Sequence, residues 1–163
     1  MATLISKSSQ YAIQAVMYVA RAAHQRALVH VKEISNVLHI PHHFLGKILQ
    51  TLSRHGFLAS QKGLKGGFSL ARLPEQITLM DIIEAVDGEA FRTECFFGFP
   101  GCGESTPCSI HELWSDTRTK ILDSLRRTTI ADLSSELETR MNITVSQSSP
   151  AQQEQRQRTP FTD

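Results

Sequence analysis

Acidic side chains are almost missing from the first 73 residues of this 163-residue chain. Glu33 stands alone there against Lys7, Arg21, Arg26, Lys32, Lys47, Arg54, Lys62, Lys65 and Arg72. That stretch carries +8 and six of the seven histidines, whereas residues 74–163 hold eight basic and fifteen acidic side chains, or −7. The overall charge of +1 conceals the division. A half-chain of one sign suits a polyanion, and nucleic acid is the expected partner.

Long apolar runs are lacking as well. The run in MATLISKSSQYAIQAVMYVARAA is broken by Gln10, Gln14 and Arg21. It falls short of the ~20 apolar residues of a membrane span and shows no signal-peptide cleavage pattern. No membrane partner is expected, and the expected compartment is the cytoplasm. Cysteine is scarce and odd in number: Cys95, Cys102 and Cys108 all lie in ECFFGFPGCGESTPCSIHELW. Three thiols do not make a disulfide framework and point instead to metal binding or redox sensing. The G-x-x-x-x-G-K-[ST] phosphate loop is absent. No hydrolytic or nucleophilic constellation and no internal repeat is evident, so an enzyme is not expected.

What is present reads as mainly helical. Apolar residues at spacings of three and four predict a helix over 9–24, and Val31, Ile34, Val37 and Leu38 predict a short second one. PHHFLGKILQTLSRHG predicts a third, with Pro41 at its start and Gly56 at its stop. Phe44, Leu45, Ile48, Leu49 and Leu52 form its buried face, leaving His42, His43, Gly46, Lys47, Gln50 and Arg54 outside. Two short helices joined by a tight turn, the second polar-faced, are the plan of a helix-turn-helix. FLASQ and FSLAR then read as strands around KGLKGG, a glycine-rich hairpin loop with Lys62 and Lys65 at its tip, which is a wing. The adjacent His42 and His43 do not suit one metal ion, because neighbours on a helix diverge by about 100°.

Beyond Pro74 the acidic half begins. Thr78 and Asp81 form the capping box of another helix, which Gly88 ends. A long helix over about 109–127 carries the apolar stripe Ile110, Trp114, Thr117, Ile121 and Leu125, flanked by Leu113 and Leu122. So long a stripe is expected to pair with its copy in a second chain, since two-fold DNA readers need such an interface. The fold class expected is therefore mainly α with a small β-hairpin wing: a winged helix-turn-helix plus a long dimerisation helix. The divisions are a DNA-binding domain over 1–73, a linking helix over 74–91 and a cysteine loop over 92–108. A dimerisation helix with a short terminal helix spans 109–139, and a disordered tail rich in Gln, Ser, Thr and Arg spans 140–163.

The cysteine intervals, six and then five residues, are wider than the C-x-x-C pairs of zinc sites and can wrap a larger group. His111 follows Cys108 by three, so the two can share a side at the start of the long helix. From the residues alone three readings stay open: an iron–sulfur cluster, a closed zinc site, or a loop packed by Phe96, Phe97 and Phe99 in which the thiols are small apolar groups.

SKSSQYAIQAVMYVA, the SQKGLKGGFSLAR wing, the TLMDIIEAVDG helix and the three-cysteine loop together resemble the Rrf-type winged-helix regulators of bacteria, over about Ser6 to Leu137. The family includes the iron–sulfur regulators of the IscR kind and the nitric-oxide-responsive NsrR kind. The resemblance implies a homodimeric transcriptional regulator, often a repressor, whose cluster, redox or nitric-oxide state sets its affinity for DNA. IscR-like members imply Cys95, Cys102, Cys108 and His111 as ligands of a cluster, 2Fe–2S in preference to 4Fe–4S; the first interval is one residue longer here. The NsrR-like acidic ligand falls on Gln10, a poor ligand for iron. The position of the IscR-like discriminating glutamate falls on Gly46, and the wing residue of the minor groove on Lys62.

In this reading His42, His43, Lys47, Gln50 and Arg54 face the major groove, Lys62 and Lys65 meet phosphates or the minor groove, and Lys7 and Lys32 add backbone contacts. Two heads reach half-sites of an imperfect palindrome roughly 34 Å apart on double-stranded DNA. Two alternatives keep other classes open: a cluster-free winged-helix regulator sensing thiol oxidation or a partner enzyme of sulfur metabolism, and a small iron–sulfur electron carrier.

Overall fold

The computed structural model describes residues 5–63 and 66–135. Helix α1, Lys7–Ala22, begins earlier than its apolar periodicity implies because Ser6 caps it, its hydroxyl accepting from the Ser9 N–H at 3.0 Å. A capped polar first turn carries no apolar signal, so periodicity starts late. Its inner face, Ala12, Ala15, Val16 and Val19, is buried to 1% exposure or less. Helix α2, Val31–Leu38, stops where His39 turns left-handed at φ 54°. Ser35 closes that turn twice: its carbonyl accepts from the Ile40 N–H at 3.1 Å and its hydroxyl donates to the Ile40 carbonyl at 2.6 Å.

Helix α3, His42–Arg54, follows Pro41 directly and buries Leu45, Ile48, Leu49 and Leu52 as the pattern requires. Gly56, at φ 73°, ends it: the Phe57 N–H reaches the Leu52 carbonyl at 3.0 Å and the Gly56 N–H that of Ser53 at 3.1 Å. This paired arrangement is a Schellman stop, which needs a residue tolerant of positive φ. Strand β1, Leu58–Gln61, then pairs antiparallel with β2, Gly67–Leu70, with Leu58 opposite Leu70 and Gln61 opposite Gly67. Val29 adds a third edge through reciprocal 2.9 Å bonds with Phe68. Gly67 is required there, since a Cβ would lie 2.7 Å from the Val29 carbonyl oxygen. The wing is thus tied to the α1–α2 connection. Lys65, placed at its tip by the sequence, lies outside the described residues.

A 3-10 turn, Pro74–Gln76, leads to helix α4, Leu79–Asp87. The expected capping box is present, Thr78 and Asp81 exchanging bonds of 3.1 Å, and Gly88 stops the helix at φ 73°. Helix α5, Ala90–Thr93, is one turn. The cysteine loop leads to helix α6, His111–Arg127. After α6 the chain returns to the base of α4: the Leu79 N–H meets the Thr128 carbonyl and the Ile130 N–H the Ile77 carbonyl, both at 2.9 Å. Residues 130–135 are helical again, begun by a Thr129–Asp132 box that also lowers the Asp132 carboxyl pKa. The sequence's terminal helix therefore exists at least in part, and the tail assigned to 140–163 lies outside the described residues.

One core runs through α1, α3, α4, Phe57 and Leu58, with Ile77 and Ile130 fully buried in it. Among the described residues no helix is long and apolar enough to cross a membrane. Among the described residues two buried hydroxyls, those of Ser9 and Ser53, have no hydrogen-bond partner, and Ser9 is fully buried. A buried unpaired hydroxyl costs stability that alanine, a better helix former, does not. Ser9→Ala is expected to stabilise the fold by about 1 kcal/mol and to raise Tm by about 3 °C, read by thermal unfolding; a lower Tm would mean that the hydroxyl is satisfied in solution.

Candidate DNA-reading face and metal centre

The outward face of α3 holds His42, His43, Lys47, Gln50 and Arg54, all exposed. Arg54 is steadied from its own helix, its guanidinium lying 3.4 Å from the Gln50 carbonyl and 3.3 Å from the Thr51 hydroxyl. A Cβ on Gly46 would meet nothing within 4 Å, so the bare backbone there leaves the middle of this face open. Lys32 on α2 and Lys62 beyond β1 are exposed too. Lys7 begins α1, its ammonium 5.6 Å from the centre of the Tyr11 ring and 3.4 Å from the Gln10 amide oxygen. Tyr11 in turn meets Phe44 edge-on at 5.9 Å, which sets the start of α1 beside the first turns of α3. The Gln10 amide is occupied locally, by Lys7 and by the Ile5 carbonyl at 3.4 Å.

Two braces of this face escape sequence reading. Arg72, read as the end of a strand, donates to the His55 carbonyl at 3.1 Å, and its guanidinium lies 5.0 Å from the centre of the buried Phe57 ring. It thereby ties the base of the wing to the end of α3. Glu33, the lone acid of the head, is not free: the Tyr18 hydroxyl donates to it at 2.6 Å and the Arg26 guanidinium pairs with the same oxygen. Hydrogen bonding to Glu33 raises the Tyr18 pKa, helped by burial and by the carboxylate charge. Both braces join residues far apart in sequence, 17 for Arg72 and His55 and 15 for Tyr18 and Glu33, so no local pattern announces them.

The cysteine loop folds back on itself at two left-handed glycines, Gly98 (φ 69°) and Gly101 (φ 74°). The result is tighter than the cysteine intervals suggest. The sulfurs of Cys95, Cys102 and Cys108 all lie within 4.8 Å of one another, with Cys95 and Cys108 at 3.8 Å. His111 joins them, but through Cys102: its Nδ1 is 3.5 Å from that sulfur. The expected pairing of Cys108 and His111 by helical spacing does not apply, because α6 begins only at His111 and Cys108 precedes its first turn. All four side chains are half-buried.

The three thiols are not equivalent. Burial raises the Cys95 pKa, but the backbone amides of Phe97 and Phe99 and the thiols of Cys102 and Cys108 outweigh it and bring Cys95 down to about 7. At Cys102 the amide of Cys108 acts downward, yet burial and the neighbouring thiols prevail and leave it raised. Cys95 thus becomes a thiolate, the form that binds a soft metal, before Cys102 does. An open cavity of about 360 Å³ beside Cys102 and Cys108, lined also by Phe99, Pro100 and Pro107, gives solvent access to the sulfurs.

The loop is clamped onto α6. The Trp114 indole N–H donates to the Glu94 carbonyl at 3.1 Å, Arg118 donates to the same oxygen at 2.8 Å, and Phe96 meets the indole edge-on at 5.2 Å. Within the single chain the side chains of the α6 stripe differ in burial. Trp114 serves the loop, Leu125 packs against the core, Ile110 and Ile121 are half-buried and Thr117 is exposed. Leu113, beside the stripe, is 69% exposed.

Paired helices with a polar second member, a braced basic wing and a metal-competent thiol cluster ahead of a long helix define a class, the winged-helix DNA-binding regulators of transcription. Rrf2, described as iron-dependent transcriptional regulator, matches residues 5–136, and the chain belongs to this family. It is 40% identical over 133 residues to an HTH-type transcriptional regulator of Aquifex aeolicus known by that class alone, spanning 80% of this chain and 90% of that one. It is 31% identical over 129 residues to the HTH-type transcriptional regulator IscR of Erwinia tasmaniensis, spanning 79% and 77%. Its fold superposes on CymR, the global cysteine regulator of B. subtilis, with a TM-score of 0.68 at 26% identity, covering 83% of this chain and 98% of that one.

Trp114 is the one tryptophan of the chain, so its emission reports the clamp. Phe96→Ala removes an edge-to-face partner and opens the indole to water. A red-shifted emission and stronger acrylamide quenching are expected; an unchanged spectrum would place the indole elsewhere in solution.

Proposed function

We propose that this regulator acts as a homodimer and sets its DNA affinity through an iron–sulfur cluster held by Cys95, Cys102, Cys108 and His111. The observation that carries the reading is the convergence of three thiols and an imidazole at the start of α6, in a chain whose other end is a basic winged helix. Soft thiolates with one nitrogen donor suit such a group, which when bound supplies redox and nitrosylation chemistry. His42, His43, Lys47, Gln50 and Arg54 read the major groove of an imperfect palindrome, while Lys7, Lys32, Lys62 and Lys65 meet backbone or minor groove. The two chains associate along α6.

A path from loop to head supports the switching step. The loop follows α5, whose Arg92 pairs with Glu84 of α4 at 3.3 Å. At the end of α4 the Asp87 carboxylate accepts from the Ser6 hydroxyl at 2.5 Å, and Ser6 is the cap of α1 beside Lys7. A change in loop order thereby bears on the first turn of the DNA-binding head. A coupling of 1–3 kcal/mol, worth roughly 5–150-fold in affinity, is typical of such linkage.

A second reading, a cluster-free regulator sensing thiol oxidation, is favoured by the 3.8 Å separation of Cys95 and Cys108. Iron and sulfide content of the chain isolated without oxygen separates the two. The cluster reading expects a coloured protein that loses iron, and its affinity shift, in Cys102→Ala, while remaining a dimer by light scattering. Full iron retention in that variant would refute the ligand set, and iron-free wild type would favour the thiol reading.

The DNA face has its own test. Lys62→Ala is expected to lower the slope of log K against log salt by about 1, the loss of one phosphate contact. An unchanged slope on the duplexes it binds would remove Lys62 from the interface.

A further inference from the structure

Two separations at the thiol cluster match those around one ion. A tetrahedral zinc-type ion with metal–sulfur distances of about 2.3 Å places its sulfurs about 3.8 Å apart, and a sulfur and a nitrogen donor about 3.6 Å apart. Cys95 and Cys108 stand at 3.8 Å and Cys102 and His111 at 3.5 Å. No sulfur pair exceeds 4.8 Å, so closing the sulfur edges takes about 1 Å or less.

We infer that the cluster-free chain binds a single thiophilic divalent cation, of the zinc class, in a tetrahedral site of three sulfurs and one nitrogen: Cys95, Cys102, Cys108 and His111 Nδ1. The turns at Gly98 and Gly101 deliver three sulfurs to one small volume despite cysteine intervals unlike those of common zinc sites. His111 is fixed by its place as the first residue of α6, its N–H bonded to the Cys108 carbonyl at 3.0 Å, which keeps the nitrogen donor beside the loop, 3.5 Å from the Cys102 sulfur. The Trp114 and Arg118 bonds to Glu94 hold the loop's entry just before Cys95. A closed four-donor site stabilises the fold to which its ligands belong. Zinc and iron–sulfur assembly would then exclude each other at one place. The inference concerns the same residues as the cluster reading but does not require it.

The test uses the full chain, reduced and freed of iron, titrated without oxygen with Co2+ and then with Zn2+. One equivalent of Co2+ is expected to give the intense visible bands of tetrahedral cobalt together with near-ultraviolet sulfur-to-cobalt charge transfer, and one equivalent of Zn2+ to abolish both. His111→Ala is expected to keep the charge transfer, shift the visible bands and weaken Zn2+ binding more than about tenfold; His111→Cys is expected to restore affinity. Weak pink octahedral cobalt, or no retained ion, overturns the site, and a His111→Ala spectrum identical to wild type overturns the fourth donor. Iron and sulfide analysis of the same preparation before stripping keeps the two ideas apart. A chain isolated without a cluster that still takes tetrahedral cobalt sinks the cluster reading alone, and a cluster-bearing chain whose stripped form takes none sinks this one alone.

Discussion

Helix α4 has neighbours on two sides, and the arrangement depends on satisfying both. Leu79, Met80, Ile82 and Ile83 are all buried, against α1 and α3 toward the DNA head and against α6 toward the thiol loop. Each such burial is worth roughly 1.5–3 kcal/mol. The helix cannot slide to suit one side alone, because both ends are fixed: Thr78 and Asp81 cap its start, and Asp87 at its end accepts from Ser6. The chain beyond α6 is stitched back to the same start through Thr128 and Ile130. Head and thiol loop therefore share one short rigid element. A packed helix with pinned ends transmits a displacement that a flexible linker would absorb.

The head's charge is managed as deliberately as its packing. A free carboxylate among nine basic residues would repel phosphate, yet Glu33 is engaged by both Tyr18 and Arg26. Its cost in desolvation is met by two donors, and the bond to Tyr18 holds α2 against α1. Arg72 makes a comparable use of a cation, giving up outward reach for a bond to the His55 carbonyl at the end of α3 and a place against Phe57.

Much of the fold was legible because its signals are local. Caps at Thr78 and Asp81, stops at Gly56 and Gly88, the buried stripe of α3 and the left-handed Gly63 of the hairpin each act within a few residues, and each holds in the structure. The start of α1 was read late since its cap lies outside the apolar pattern. In the candidate site the three cysteines stood out by scarcity alone, but their intervals suggested a wider ring than the one formed. Backbone reversal at Gly98 and Gly101 is a matter of φ, which spacing does not report. Likewise the link between His111 and Cys102, nine residues apart, arises from where α6 begins and not from helical periodicity.

By itself the sequence determined the elements, the split between a basic head and an acidic remainder, and the three thiols capable of ligating a metal, all of which are properties of composition and short-range pattern. Only the tertiary structure decided which donors meet, how Glu33 is neutralised, how the wing is braced, and that Trp114 turns to the loop and Leu125 to the core. Those outcomes depend on contacts between residues distant in sequence. They form because burying α4 and closing the chain after α6 bring particular side chains within bonding distance, and no one-dimensional spacing encodes that distance.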